Sequence, residues 1–383
     1  MRLYEYEGKE IFKQYGIPVP RGIVVNTGEQ ARQAAVSIGK QVVVKSQILG
    51  GGRGKAGGIR VAGTPKEAEE IAQEQLGMEL MGYKVKELLV EEKLDIENEI
   101  YMGVTIDDVS GMPIAIVSAK GGIAIEEVAR ESPESIARSL VDPMYGLRGY
   151  EAINLVSQIR VTGKALASAS SILGQLFKVF ESYDMRITEI NPLVITTDGK
   201  LVAADSRCEI DDHSLFRHPE LEEVAVDRIQ DFWEREGVKA GANYVELGGN
   251  IAVMANGAGL AMSLLDMIDF KGGRAGCFLE TGGGLSKERM EKGVGILLRK
   301  AKSDPRIKVI LVMARMMMSP PDAVAEGLIE AVNELKVAVP VVAVMRGRES
   351  YQKRARELLK GTGIQLYLSV EEGVNEAIRI AAK

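Results

Sequence analysis

A glycine-rich basic loop is the first feature that could do chemistry. Gly50-Gly51-Gly52-Arg53-Gly54-Lys55-Ala56-Gly57-Gly58 follows a β-branched run, residues 41–45, that ends in Lys45. Glycines adopt positive φ and let backbone N–H groups approach phosphate oxygens, while Lys45, Arg53 and Lys55 supply positive charge. No Gly-Lys-Ser/Thr opens a helix here, so this is not a P-loop. A flexible surface loop shares this composition, and Lys45 is either snorkelling outward or aimed at a ligand.

The second constellation is Glu189-Ile190-Asn191-Pro192, then residues 193–197, Asp198-Gly199 and residues 200–205. Asp-Gly between two apolar runs is a hairpin signal. A two-residue loop pairs 192 with 205 and puts Asn191 on the opposite face from Asp205. A three-residue loop, with Gly199 left-handed, pairs 191 with 205. Two hard oxygen donors then converge, as Mg²⁺ shared with nucleotide phosphates requires. The bland alternative is a polar cross-strand pair on a sheet surface.

Glu91, Glu92, Glu97 and Glu99 form an acidic stretch. It is either a solvated edge or a hinge that holds an adenine and a ribose. His213 and His218 sit in loop sequence, where capping or exposure is the expectation, and Cys208 and Cys277 are expected in the core. Further on, Asn256-Gly257-Ala258-Gly259 and Thr281-Gly282-Gly283-Gly284 each stand between a strand pattern and a helix pattern. The N–H groups that open a helix can hold an anion. Met316-Met317-Met318 ends another strand pattern, and adaptable packing is its first explanation.

These residues need elements to position them. Thr27 with Gln30, and Thr64 with Pro65, mark helix starts. Ser132-Pro133 reads as another start, residues 153–182 as mostly helical, and 187–195 as a strand. Beyond the charged stretch 219–243, strands and helices alternate with short loops, and Ser286, Ser319 with Asp322, and Ser369 stand as caps. That alternation predicts a parallel sheet covered on both faces, with ligands at the strands' carboxyl ends. The charged stretch places a boundary between residues 1–238 and 239–383.

Composition excludes several classes. The chain has 383 residues and a net charge of −6, which disfavours a non-specific nucleic-acid binder. Two cysteines and two histidines rule out a disulfide framework and a multi-histidine zinc site. No run of about 20 apolar residues predicts a membrane span. Acids at Glu5, Glu7 and Glu10 spoil a targeting peptide, so a cytoplasmic α/β protein is expected.

In their order, these motifs resemble the β subunits of succinyl-CoA synthetases and related ADP- or GDP-forming acyl-CoA synthetases. The resemblance runs end to end. It is carried by Leu3-Tyr4-Glu5-Tyr6-Glu7-Gly8-Lys9, the stretch from Lys45 to Gly58, Glu189-Ile190-Asn191-Pro192-Leu193-Val194-Ile195, Leu215-Phe216-Arg217 and Asn256-Gly257-Ala258-Gly259-Leu260-Ala261. It implies an ATP-grasp domain followed by a flavodoxin-like, CoA-ligase type domain. It also implies a reaction in which ATP or GTP phosphorylates a histidine on a separate α subunit, which also carries the main CoA site. The phosphate then passes to a carboxylic acid, and CoA displaces it. By the same resemblance, Lys45, Gly52, Arg53, Gly54, Glu91, Leu94 and Glu99 hold the nucleotide. Asn191 and Asp205 hold Mg²⁺, which favours the three-residue hairpin loop. Glu189 steadies the phosphohistidine, and Asn256 contacts the acid. A hetero-oligomer is implied.

The substrate loop departs from the family. Met316-Met317-Met318 stands where a Gly-Gly-Ile loop is usual, so that Met317, Met318 and Ser319 occupy substrate positions. Methionine reaches positive φ less readily than glycine and narrows a pocket. Glu280 and Thr281 replace an aspartate and a hydrophobic residue, and Lys120 an acidic one. The leading reading is a nucleotide-dependent acid–CoA ligase subunit whose acid is succinate or a related acid. The competing ones are a non-catalytic nucleotide-binding regulatory or scaffold subunit and an ATP-grasp carboxylate–amine ligase.

Overall fold

The computed structural model describes residues 1–383 apart from Met318 and Val337, and apart from the side chains of Glu222 and Glu223. The chain divides into two compact units, Met1–Pro219 and Glu220–Lys383. The sequence places the boundary at the end of the charged stretch, at 238/239. The division found here falls at its start, because Trp233, in the helix Phe232–Lys239, packs on the second unit's core.

The first unit contains two large antiparallel sheets and a two-stranded hairpin, Glu79–Leu80 with Tyr83–Lys84. One runs Gly22–Val25, Leu88–Glu92, Val42–Ser46, Ile59–Ala62. Strand alternation splits its faces. Val42, Val44, Leu88 and Val90 pack under the helices Gly28–Ile38 and Pro65–Gln75. Val43, Lys45 and Glu91 face the other way, into a cavity. Both helices start where the caps predict: Thr27 Oγ1 accepts from Gln30 N–H, and Thr64 Oγ1 from Glu67 N–H.

The other sheet runs Leu201–Ala203, Met185–Thr196, Ile96–Ile106, Pro113–Ser118, Ile136–Leu140, and Arg207–Ile210 also pairs with Met185–Thr196. The helical stretch expected at 153–182 is two helices, Gly149–Gln158 and Gly163–Ser182. Arg160, at φ 63°, breaks the run. Ser132-Pro133 opens only a 3₁₀ turn, Pro133–Ser135, because the chain turns at once into the edge strand Ile136–Leu140.

The second unit is the expected sheet covered on both faces, ordered Asn243–Glu246, Ala275–Glu280, Ile251–Ala255, Val309–Met316, Val341–Gly347, Gln365–Tyr367. All neighbours are parallel except the edge strand Asn243–Glu246. Alternate residues of its central strands feed two cores. Ile310, Val312, Ala314 and Met316 face the helices Lys287–Ser303 and Pro321–Leu335, while Val309, Leu311 and Met313 face Ala258–Phe270 and Val370–Ala381. Among the described residues, no helix is long and apolar enough to cross a membrane.

Candidate active site

The hairpin closes with three loop residues. Leu193 pairs with Ala203 and Ile195 with Leu201, and Gly199 takes φ 78°. The same register resumes at Glu189 opposite Arg207, which sets Asn191 opposite Asp205 between them. Thr196 Oγ1 accepts from Lys200 N–H and fixes the turn.

Lys45, Gly52, Arg53, Gly54, Glu91, Leu94, Glu99, Glu189, Asn191 and Asp205 all line one cavity of about 680 Å³ in the first unit. They come from two sheets and two loops, so tertiary folding alone brings them together. At its floor is a charge cluster centred on Glu5, in the first turn of the helix Glu5–Gln14. Glu5 Oε1 takes Lys45 Nζ at 2.8 Å and Lys9 Nζ at 2.7 Å, and its Oε2 takes Arg53 Nη2 at 2.8 Å. Lys9 Nζ also bonds both Glu91 oxygens, at 2.7 and 2.8 Å, and Lys45 Nζ reaches Glu91 Oε2 at 2.8 Å. Arg53 Nη2 adds Asp205 Oδ1 at 3.0 Å, and Nη1 adds Ser46 O at 2.9 Å. Three cations thus face three carboxylates, and Glu5, Lys9, Lys45, Arg53 and Glu91 are all buried.

Burial favours neutral forms here, and close opposite charge overrides it. Burial raises the Glu5 carboxyl, but Lys45, Lys9 and Arg53 hold it well below its ordinary value. Burial lowers Lys45, yet Glu5 and Glu91 push it above the ordinary lysine range, and Arg53 moves up in the same way. Asp205 goes up, through desolvation and the neighbouring Glu5 charge, with Arg53 and Lys45 opposing. Asn191 Oδ1 accepts from Gly122 N–H at 2.8 Å, and its amide donates to Ile123 O at 2.9 Å. Glu189 accepts from Tyr101 Oη at 2.9 Å and stands 3.6 Å from Arg207 Nη1. Burial raises its carboxyl, and Arg207 and the Tyr101 hydrogen bond pull against that.

Glu91 belongs to the acidic stretch read as either a solvated edge or a hinge; its carboxylate is buried and held by Lys9 and Lys45, while Leu94 and Glu99 line the cavity beyond it. Sequence reasoning missed Glu5 and Lys9 as members of the site. Their i, i+4 spacing was visible, but only folding carries that pair beneath Lys45. His218, expected to cap a loop or lie exposed, follows the 3₁₀ turn Asp212–Arg217 at its cap position but is buried, stacks on Tyr183 and bonds Asp184 Oδ2 at 3.0 Å. Cys208 and Cys277 are buried as expected, and desolvation raises both thiols, to about 12 and about 11.

The expected acid-binding residues lie in the second unit. Asn256 is buried, accepts from Arg315 N–H at 2.7 Å and donates to Arg315 O at 3.1 Å. Glu280 Oε1 takes Gly257 N–H at 2.9 Å and Gly282 N–H at 2.5 Å. Met317 is exposed, Met318 lies outside the described residues, and Met316 is a fully buried strand residue. Ser319 is not the helix cap expected of it. Pro320 holds that position, and Ser319 Oγ accepts from Leu285 N–H at 2.7 Å, because the loop folds back on the neighbouring connection.

Comparison with known proteins finds two families, one in each half of the chain. An ATP-grasp domain family matches residues 2–195, and a CoA-ligase family matches residues 254–380. The chain is 39% identical to the succinate–CoA ligase (ADP-forming) subunit beta of Ignicoccus hospitalis, over 100% of this chain and 99% of that one. It is 41% identical to the GDP-forming counterpart of Thermus thermophilus, over 96% and 95%. Identity to subunit beta 1 of the ADP-forming ligase of Archaeoglobus fulgidus is also 41%, over 100% of both. In fold, it resembles an ATP citrate lyase structure from Methanothrix soehngenii, with a TM-score of 0.77 at 19% identity, covering 99% of each chain.

Proposed function

Because the chain belongs to the family of succinate–CoA ligase β subunits, acid–thiol ligases that form a nucleoside diphosphate, we propose that its cavity binds ATP, or GTP, and transfers the γ-phosphoryl group to a histidine of a separate α subunit. The phosphate then passes to succinate or a related carboxylic acid, and CoA displaces it to leave a thioester. The observation that carries this reading is the convergence of ten residues, spread from Lys45 to Asp205, on one cavity lined by the buried cations Lys45 and Arg53.

Lys45 and Arg53 hold the phosphate charge, and the Gly52–Gly54 turn lets backbone N–H groups approach it. Leu94 and Glu99 contact the nucleoside side. Asn191 and Asp205 fit a hard divalent cation: both donors are oxygens, they stand opposite each other, and Arg53 and Ser206 N–H engage only Oδ1 of Asp205. Mg²⁺ bound there would neutralise and align the transferring phosphate. Glu189, fixed by Tyr101, accepts a proton-bearing ring nitrogen of the incoming histidine and orients it for attack. Asn256, Met317 and Ser319 belong to the acid's side of the reaction. The partner supplies the phosphocarrier and the main CoA site, so the working unit is a hetero-oligomer in the cytoplasm.

The test uses this chain co-expressed with its candidate α-type partner, given labelled ATP and Mg²⁺. Acid-labile, base-stable phosphate on the partner, discharged by CoA plus one acid from a panel, supports the proposal. Stable association without label favours a regulatory subunit, for which the methionines at the substrate loop are the specific argument.

A further inference from the structure

Two buried ammonium groups in the first unit share one set of acceptors. Lys9 Nζ donates to Glu5 Oε1 at 2.7 Å, to the Glu91 oxygens at 2.7 and 2.8 Å and to Ala204 O at 2.8 Å. Lys45 Nζ has the same three partners: Glu5 Oε1 at 2.8 Å, Glu91 Oε2 at 2.8 Å and Ala204 O at 2.6 Å. An ammonium group carries three N–H donors, so both are fully spent on this set. Their positions differ. The residues lining the cavity include Glu5, Lys45 and Glu91 but not Lys9, whose side chain is 4% exposed.

The chain builds this pairing from its first helix. Glu5 and Lys9 stand one turn apart on Glu5–Gln14 and so share a face. Gly8 lets that face approach the segment 204–206. A Cβ at Gly8 would meet Ser206 Oγ at 2.6 Å, and Ser206 Oγ donates to Glu5 O at 2.8 Å. Lys9 therefore reaches Ala204, the residue before Asp205, and ties the helix to the backbone that carries it.

Two cations on one set of acceptors repel each other, so the duplication is costly unless one of them has another use. Lys45 is the one that opens onto the cavity. Without Lys9, a Lys45 that turned to a phosphate oxygen would leave Glu5 with Arg53 alone. Glu91 would then have no cation among the described residues. A buried carboxylate stripped of its partner is strongly disfavoured, and that cost would be charged against ligand binding. With Lys9 present, both carboxylates stay paired, and the repulsion between the two ammonium groups falls.

We propose that Lys9 is a positioning residue for nucleotide binding: it keeps Glu5 and Glu91 paired while Lys45 exchanges them for a phosphate oxygen. Lys9 itself touches no phosphate, and its charge is what matters. This rests on the nucleotide reading above and assigns a role within that same site.

The test uses the full chain and calorimetric binding of a non-hydrolysable ATP analogue in the presence of a chelator. Lys9→Met should weaken binding at least about tenfold, since the carboxylates then compete for Lys45. The double variant Lys9→Met/Glu5→Gln removes one charge of each sign, keeps the cluster neutral and should recover binding to within about threefold of the wild type. With the α-type partner present, Lys9→Met should raise KM for ATP in the labelling reaction and leave kcat within about threefold, because saturating ATP restores the occupied site. Unchanged affinity in Lys9→Met, a loss that the double variant does not recover, or a fall confined to kcat would overturn the proposal. If Lys9→Met alone does not fold, the double variant decides: binding within about threefold of the wild type supports the proposal, and a tenfold loss rejects it. Titrations with inorganic pyrophosphate read the cation cluster apart from the nucleotide reading. A wild type that binds pyrophosphate but not the analogue removes that reading, and the pyrophosphate affinities of the variants then decide on Lys9. A wild type that binds neither overturns both.

Discussion

Lys45 Nζ and Glu5 Oε1 lie 2.8 Å apart in a cluster almost closed to water, so the lysine proposed to meet a nucleotide phosphate is held by a carboxylate from the first helix. Glu5 also holds Arg53 and Lys9, and Lys9 in turn holds Glu91. The two cations proposed to hold the phosphates are therefore set in place before any ligand arrives, which lowers the cost of ordering them on binding.

Glu5→Gln leaves this cluster one charge out of balance. The expected loss is about 3–5 kcal/mol of stability, the usual consequence of breaking a buried ion pair. Urea unfolding measures it, and Glu5→Asp should recover part of it. The pH dependence has a definite sign. Glu5 titrates below its ordinary 4.5, so its stabilisation is full above that value and is lost as pH falls through the lowered one. Lys45 titrates above its ordinary 10.5, so its contribution is full below that value and is lost as pH rises through the raised one. Glu5→Gln should flatten the acid limb of the stability profile.

Asp205→Ala should reduce labelling of the partner by ATP and Mg²⁺ by about 10²–10³-fold, the scale of a lost electrostatic contact at the reacting group. The fold should survive. Asp205 stands at the rim of the cluster, its side chain 33% exposed, and Arg53 keeps Glu5 as its other carboxylate partner, so the loss of Asp205 costs less than the loss of Glu5. Circular dichroism together with the labelling assay checks both halves. Full labelling would take the hairpin out of the mechanism.

Glu189 should set the acid limb of phosphoryl transfer. Its carboxyl is raised by burial, and the ionised form is the one that accepts the histidine's proton. Activity should fall as pH drops through a value above the ordinary glutamate pKa. Tyr101→Phe removes the hydrogen bond that lowers this value and should move the limb upward. Glu189→Gln should abolish the limb and most of the rate. Single-turnover labelling of the partner across pH 4.5–8 is the measurement.

The two described methionines of the substrate loop should behave differently. Met316 is fully buried beneath the helices of one face, so Met316→Gly should cost about 2–5 kcal/mol, whatever it does to the acid preference. Met317 is 57% exposed, and Met317→Gly should change stability by less than about 1 kcal/mol. If Met317 narrows the acid site, that single substitution raises succinate turnover. Thermal unfolding and the coupled thioester assay separate the two effects.

Much of the fold was legible from local signals. The caps at Thr27, Thr64, Ser286 and Ser369 stand where the chain places them, since a side-chain oxygen three residues before an N–H is a local arrangement. The sheet of the second unit followed from alternating strands and helices. Ser319 escaped this logic. Its cap spacing is sound, but a distant N–H, that of Leu285, competes for the same oxygen and wins.

By itself, the sequence determined the inventory: a basic glycine loop behind Lys45, an Asp-Gly hairpin carrying Asn191 and Asp205, and two glycine turns ahead of helices. The hairpin's register, left open between two loop lengths, is settled in the structure by Gly199 taking positive φ. The tertiary structure alone decided which charges meet. Glu5 is 40 residues from Lys45 and 48 from Arg53, and Arg315 is 31 from Arg346. The first set closes into a neutral buried cluster because charge is expelled from a core unless it is paired. The second pair stays exposed at the carboxyl ends of two interior strands, where water still reaches it. Linear spacing carries neither outcome, since the energy of a charge depends on what surrounds it in space.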